Sequence, residues 1–129
     1  MKKLVNIGIK SLLIILLVTG CTKKFDKEKF KSKMKDNKFE VTDISKTESI
    51  AVGKHFIITF SEFKNQKEAE DYVKKEIKDK DYKKDNNTYT LKNNYIYSIY
   101  QVKDKYVISS FTPLKYKSEV EDTFEKLTK

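Results

Sequence analysis

Apolar residues recur along this chain at three spacings, and each spacing announces a different kind of segment. Residues 12–18 (LLIILLV) are apolar without interruption. Alternation, the period of a strand, appears in 39–44 (FEVTDI) and most fully in 55–63, where Phe56, Ile58 and Phe60 share one face and Ile57, Thr59 and Ser61 the other. Steps of three and four, the period of a helix, join Phe30 to Met34, link Ala69, Tyr72, Val73 and Ile77, and link Tyr116, Val120, Phe124 and Leu127.

Punctuation residues set the boundaries. Asp26 is placed to cap a first helix, with Phe25 ahead of it able to staple onto Phe30, and Asn37 is suited to a left-handed exit. Only Phe30 and Met34 are apolar inside that helix, which predicts weak docking. Residues 45–49 read as a polar loop, 50–52 as a short strand start, and Gly53 as a turn or bulge. Asn65 and Glu68 form a variant of the capping box ahead of the second helix. Residues 78–87 read as a charged connection. Strands at 88–92, 95–102 and 105–111 follow, separated by turns at Asn93-Asn94 and Lys103-Asp104. Apolar residues on both faces of 95–102 predict a central strand, and Pro113 ends the sheet before the closing helix.

The predicted order is α-β-β-α-β-β-β-α. Short connections favour antiparallel pairing, so the expected fold is α+β: a single small domain with a mainly antiparallel sheet of about five strands and helices on one face. Met34 to Phe39 and Ile77 to Tyr82 share a five-residue step, a hint of internal duplication and no more than that.

The run at 12–18 follows a leader with Lys2, Lys3 and Lys10 and no acid, and precedes the small residues Thr19 and Gly20. That is the layout of a secretory signal peptide. Seven apolar residues fall well short of the roughly 20 that a membrane-spanning helix needs. Val18-Thr19-Gly20-Cys21 resembles the lipobox of bacterial prolipoproteins. The resemblance implies diacylglyceryl attachment to the Cys21 sulfur, cleavage between Gly20 and Cys21, and residence on the outer side of the cell membrane. Residues 1–20 are then the signal peptide, 21–24 the lipidated cysteine with a short tether, and 25–129 the folded domain. The layout of the mature chain is also similar to that of small lipoproteins of low-GC Gram-positive bacteria, a similarity that brings no activity with it.

Charge sharpens this picture. The 109 residues from Cys21 onward carry 25 lysines and 19 acids, and no arginine occurs anywhere. Residues 23–38 hold eight of those lysines against three acids, whereas 39–129 hold 17 against 16. The basic excess therefore lies beside the anchor, and three tether residues reach at most ~11 Å. Lys23, Lys24, Lys27, Lys31 and Lys35 are the candidate membrane-facing set, with anionic lipid or wall polymer as partner. Arginine is the side chain favoured for bidentate phosphate and base contacts, so nucleic acid is not an expected partner. AT-rich coding accounts for the same lysine bias.

Catalytic chemistry finds little support. His55 has no second histidine and no free cysteine to work with, so it reads as an exposed or hydrogen-bonded strand histidine. Most carboxylates alternate with lysines along solvated helix faces, and Glu119, Glu121, Asp122 and Glu125 crowd one helix between Lys117 and Lys126. No enzyme activity, cofactor or metal is expected. Tyr89, Tyr95, Tyr97, Tyr100 and Tyr106 fall on three neighbouring strands. Ordinary cross-strand packing explains them, and Tyr95, Tyr97, Tyr100 and Tyr106 form a candidate partner surface where they are exposed. Two functions stand side by side: a binding module held against the membrane, and an accessory component that docks a neighbouring membrane protein through the tyrosine-bearing sheet.

Overall fold

Capping decides where the first two helices begin. The computed structural model describes residues 25–128; the leader, Cys21, Lys23 and Lys24 lie outside them. The Asp26 carboxylate accepts the Lys29 amide at 2.8 Å and opens α1 (Lys27–Asp36). The Asn65 side chain accepts the Glu68 amide at 2.9 Å and opens α2 (Gln66–Ile77). At the far end of α1, Asn37 keeps a negative φ of −97°, and the following Lys38 takes the left-handed conformation with φ 71°. The Asn37 side chain donates to the Lys33 carbonyl at 2.8 Å instead, so the turn is passed one residue along.

Between and after these helices run β1 (Glu40–Asp43), β2 (Glu48–Val52), β3 (Ile57–Glu62), β4 (Lys83–Asp85), β5 (Thr88–Lys92), β6 (Ile96–Lys103) and β7 (Tyr106–Pro113). A 3-10 turn, Leu114–Tyr116, leads into α3 (Lys117–Thr128). Among the described residues every strand joins one antiparallel sheet in the order β1-β2-β3-β7-β6-β5-β4. The architecture is α+β, as the pattern predicts. The sheet has seven strands and not about five. β2 begins inside the segment expected to be loop, and β4 forms from the charged connection, with Asn86 at φ 56° making the turn to β5. Strand length and polarity hide both: β4 is three exposed residues, KKD, with no apolar alternation to detect.

Register sorts the side chains into two faces, since neighbours along a strand alternate. One face carries Ala51, Ile58, Phe60, Tyr97, Ile99, Tyr106 and Ile108, which form a buried core with Phe25, Phe30 and Met34 near α1 and Val120, Phe124 and Leu127 of α3. The other carries Tyr89, Val102 and Val107, which pack with Ala69 and Val73 of α2. The helices therefore do not gather on one face, which is what the short connections led us to expect: α1 and α3 take one and α2 the opposite one. Each half of the chain is a helix followed by an antiparallel meander, though the second meander has one strand more.

The weak docking expected of α1 is not what the fold contains. Phe30 and Met34 are wholly buried, and the rings of Phe25 and Phe30 lie 6.0 and 5.0 Å from that of Phe60. Truncating a buried Phe to Ala costs about 3–5 kcal/mol, so two such residues outweigh a narrow stripe. Lysines complete the attachment. Lys27 donates to the Ser45 and Lys46 carbonyls, and Lys33 to the Lys126 carbonyl on α3.

Candidate functional site

α2 shields only the part of its face near Val102 and Val107, toward the β6–β7 turn. Beyond it the same face is open. Val52 and Ile57, partners across β2 and β3, are both exposed, and Phe111, opposite Ser98 on β7 and β6, is 69% exposed. Ile57, Thr59, Ser98, Tyr100, Ser109 and Phe111 line a shallow hollow of 220 Å³ on this surface. Its floor is small and hydroxylated, its rim apolar. Tyr95, 80% exposed, stands at the turn leading into β6 at the same end of the sheet. Isolated apolar residues on a surface need no explanation, whereas a contiguous set on one sheet face is a candidate contact site.

The position of this strip along the strands matters. Phe25, the first described residue, packs on Tyr106 at 5.9 Å, and Lys103 Nζ lies 5.9 Å from its ring, so the chain enters at the β6–β7 turn. β7 runs from Tyr106 at that end to Phe111 and Pro113 at the other, a span of about 23 Å at ~3.3 Å per residue. The open strip and the chain entry stand at opposite ends of the sheet.

The predicted tyrosine surface is thereby divided. Tyr97 is 2% exposed, and its hydroxyl donates to Glu121 Oε2 at 3.0 Å; burial first, then Glu121, raises its pKa above the ordinary phenol value. Tyr106 is buried against Phe60 and Phe25. These two are core, because their register turns them toward α1 and α3, and neither can meet a partner. Tyr100 is half-buried on the open face, its pKa pushed up to about 12 chiefly by burial. Tyr95 and Tyr100 are the members that remain available. Phe111 is not among the candidate residues read from the sequence, although Val107, Ser109 and Phe111 alternate there as one strand face.

The predicted basic set is also divided. Lys31 Nζ sits 3.0 Å from Asp43 Oδ2 and Lys27 Nζ 3.5 Å from Asp43 Oδ1, so these two charges are turned onto the domain's own sheet. Lys35 is exposed on the last turn of α1. Lys23 and Lys24 are outside the described residues, as are Gly20 and Cys21.

His55 lies in the turn between β2 and β3. Its Nδ1 is 3.0 Å from Glu119 Oε1, and its ring stacks on Tyr116 with centroids 4.5 Å apart and planes 9° apart. A cavity of 330 Å³ adjoins it, lined among others by Phe39, Gly53, Lys54, Asp122 and Lys126. The pairing holds the β2–β3 turn to α3: the histidine is hydrogen-bonded, as expected, but it lies in the turn and not on the strand, which begins at Ile57. Among the described residues no three His, Cys, Asp or Glu side chains converge as metal ligands.

Comparison of the chain with protein-family models, with curated proteins and with solved structures finds no match in any of the three.

Proposed function

We propose that this chain is a lipid-anchored, non-enzymatic interaction module on the outer face of the cell membrane, docking an extracytoplasmic part of a neighbouring membrane protein. The lipobox-like segment ending at Cys21 supplies the anchor; two acyl chains meet the requirement for stable attachment. The carrying observation is the open apolar strip of Val52, Ile57 and Phe111 at the end of the sheet remote from Phe25. A tether of ~11 Å keeps the Phe25 end at the headgroups. The strip is thereby turned outward, toward proteins and away from lipid. Uncharged, aromatic and partly hydroxylated surfaces of this kind suit protein contacts.

This favours the accessory reading over electrostatic adhesion through α1, since Asp43 already engages Lys27 and Lys31. The test is a photo-crosslinking amino acid at position 111 in intact cells, with position 32 on the exposed side of α1 as control. Discrete adducts from 111 that vanish in Ile57→Asn support the proposal; identical adducts from both positions would remove its basis. Mass spectrometry of the mature N-terminus tests the anchor separately.

A further inference from the structure

Thr59 of β3 and Ser109 of β7 are direct partners at the seam of the sheet, on the face that α2 leaves open, with Tyr100 opposite Ser109 on β6. Two residues further along the same strands stand the exposed side chains of Ile57 and Phe111. The pair therefore makes the floor of the 220 Å³ hollow, and the apolar strip makes its rim. The neighbouring hydroxyls are already engaged: Ser98 Oγ with the Tyr82 hydroxyl at 2.7 Å, and Ser110 Oγ with the Ile57 carbonyl, also at 2.7 Å. Those of Thr59 and Ser109 have no hydrogen-bond partner among the described residues. Both residues are half-buried, so their hydroxyls are reachable from the hollow they line. No carboxylate and no lysine lines it, in a chain of which 36% is charged.

Water serves both hydroxyls while the face is open. A protein that covers Ile57 and Phe111 takes that water away, and must pair the two hydroxyls or leave them buried and idle. An alkyl side chain leaves them idle. A carboxylate or an ammonium brings a charge into a lining that holds no counter-ion. A side-chain amide fits both, because its carbonyl accepts from one hydroxyl while its NH2 group donates to the other, across strands ~4.8 Å apart. A lone hydroxyl has one donor and a single atom to serve both. We propose that the docking strip selects its partner through this pair, the hollow receiving one Asn or Gln side chain from an otherwise apolar stretch of the docked protein. This rests on the docking reading above and names what that surface selects.

The test crosslinks from position 111 in intact cells, in the unaltered chain and in Thr59→Val/Ser109→Ala, which keeps the floor close to its shape and removes both hydroxyls. Adduct yield should fall by roughly tenfold, because the partner's amide is then buried without pairs. The urea midpoint of the purified full chain in neutral detergent should not change. Thr59→Ser keeps the hydroxyl and should keep the yield, as should Thr90→Val on the opposite face. Mapping of the adduct should place an Asn or Gln in the crosslinked segment, and its replacement by Leu should lower the yield to the same degree. Adducts that persist in the double variant, or a crosslinked segment without Asn or Gln, would overturn this proposal and leave the docking reading standing. No adduct from position 111 in the unaltered chain would overturn both.

Discussion

Lys31 Nζ lies 3.0 Å from Asp43 Oδ2, and Ser49 Oγ donates to Asp43 Oδ1 at 2.6 Å, so one exposed carboxylate ties α1 to the β1–β2 hairpin. The Ser49 bond first, then the Lys31 bond, hold the Asp43 pKa down to about 2. A depressed carboxylate contributes stability that is present above its unfolded pKa of ~3.9 and is lost as pH falls through the folded value. Thermal unfolding should therefore show a loss between about pH 4 and pH 2 that Asp43→Asn flattens. The same variant releases Lys31, while Lys27 keeps its bonds to the Ser45 and Lys46 carbonyls. In the soluble form beginning at Thr22, sedimentation with acidic vesicles should rise by roughly threefold to tenfold, while neutral vesicles show no change. Unchanged sedimentation with acidic vesicles would mean that the freed Lys31 does not reach lipid.

Tyr97 and Tyr100 govern the alkaline limb. Burial is the leading cause of both shifts, with Glu121 adding to that of Tyr97 and Tyr82 to that of Tyr100. The native state keeps protons that the unfolded chain releases near pH ~10, so stability is complete below that pH and declines as pH rises toward about 12. Tyr97→Phe keeps the ring and removes the bond to Glu121. It should cost about 1 kcal/mol at neutral pH and make the alkaline decline shallower, measured by urea unfolding across pH.

Gly53 is needed for space. A Cβ there would come within 2.4 Å of the Phe39 ring, which also packs on Phe56 at 5.6 Å. Gly53→Ala should destabilise by about 1–3 kcal/mol, the usual cost of overpacking. Combining it with Phe39→Leu should cost less than the sum of the two, because the shorter side chain removes the clash. Additive costs would show that the ring moves aside freely.

Phe111 and Ile57 should be dispensable for folding and needed for contact. Both are exposed, so Ile57→Asn and Phe111→Asn should change stability by no more than about 0.5 kcal/mol. Loss of crosslinked partner without loss of stability separates a docking strip from a structural one.

Much of this fold was legible in the sequence. Asp26 and Asn65 declared both early helices, and the alternation of Phe56, Ile58 and Phe60 declared the inner face of β3. Lys83–Asp85 was not legible, because this edge strand of three exposed residues is held by backbone pairing with Thr88–Thr90 and by Lys84 over the Tyr89 ring, neither of which leaves an apolar alternation. The tyrosines show the same limit. Tyr97 and Tyr100 sit three apart on one strand with similar neighbours, and only register decides that one is core and the other faces the open side. Nor does composition separate Lys31 from Lys35, since pairing with Asp43 depends on how the β1–β2 hairpin folds back.

The last strand of the chain is the middle of the sheet. β7 pairs Ser109 with Thr59 of the first meander and with Tyr100 of the second. Each meander closes through neighbours in sequence, but the seam between them joins residues 44 to 50 positions apart. A chain that emerges N-terminus first must hold the inner edge of β3 unpaired until residues 106–113 arrive, and only then do the two halves become one cooperative unit. Assembly is thus decided by the end of the chain: truncation before β7 leaves the edges of two meanders open side by side, a template for pairing with other chains.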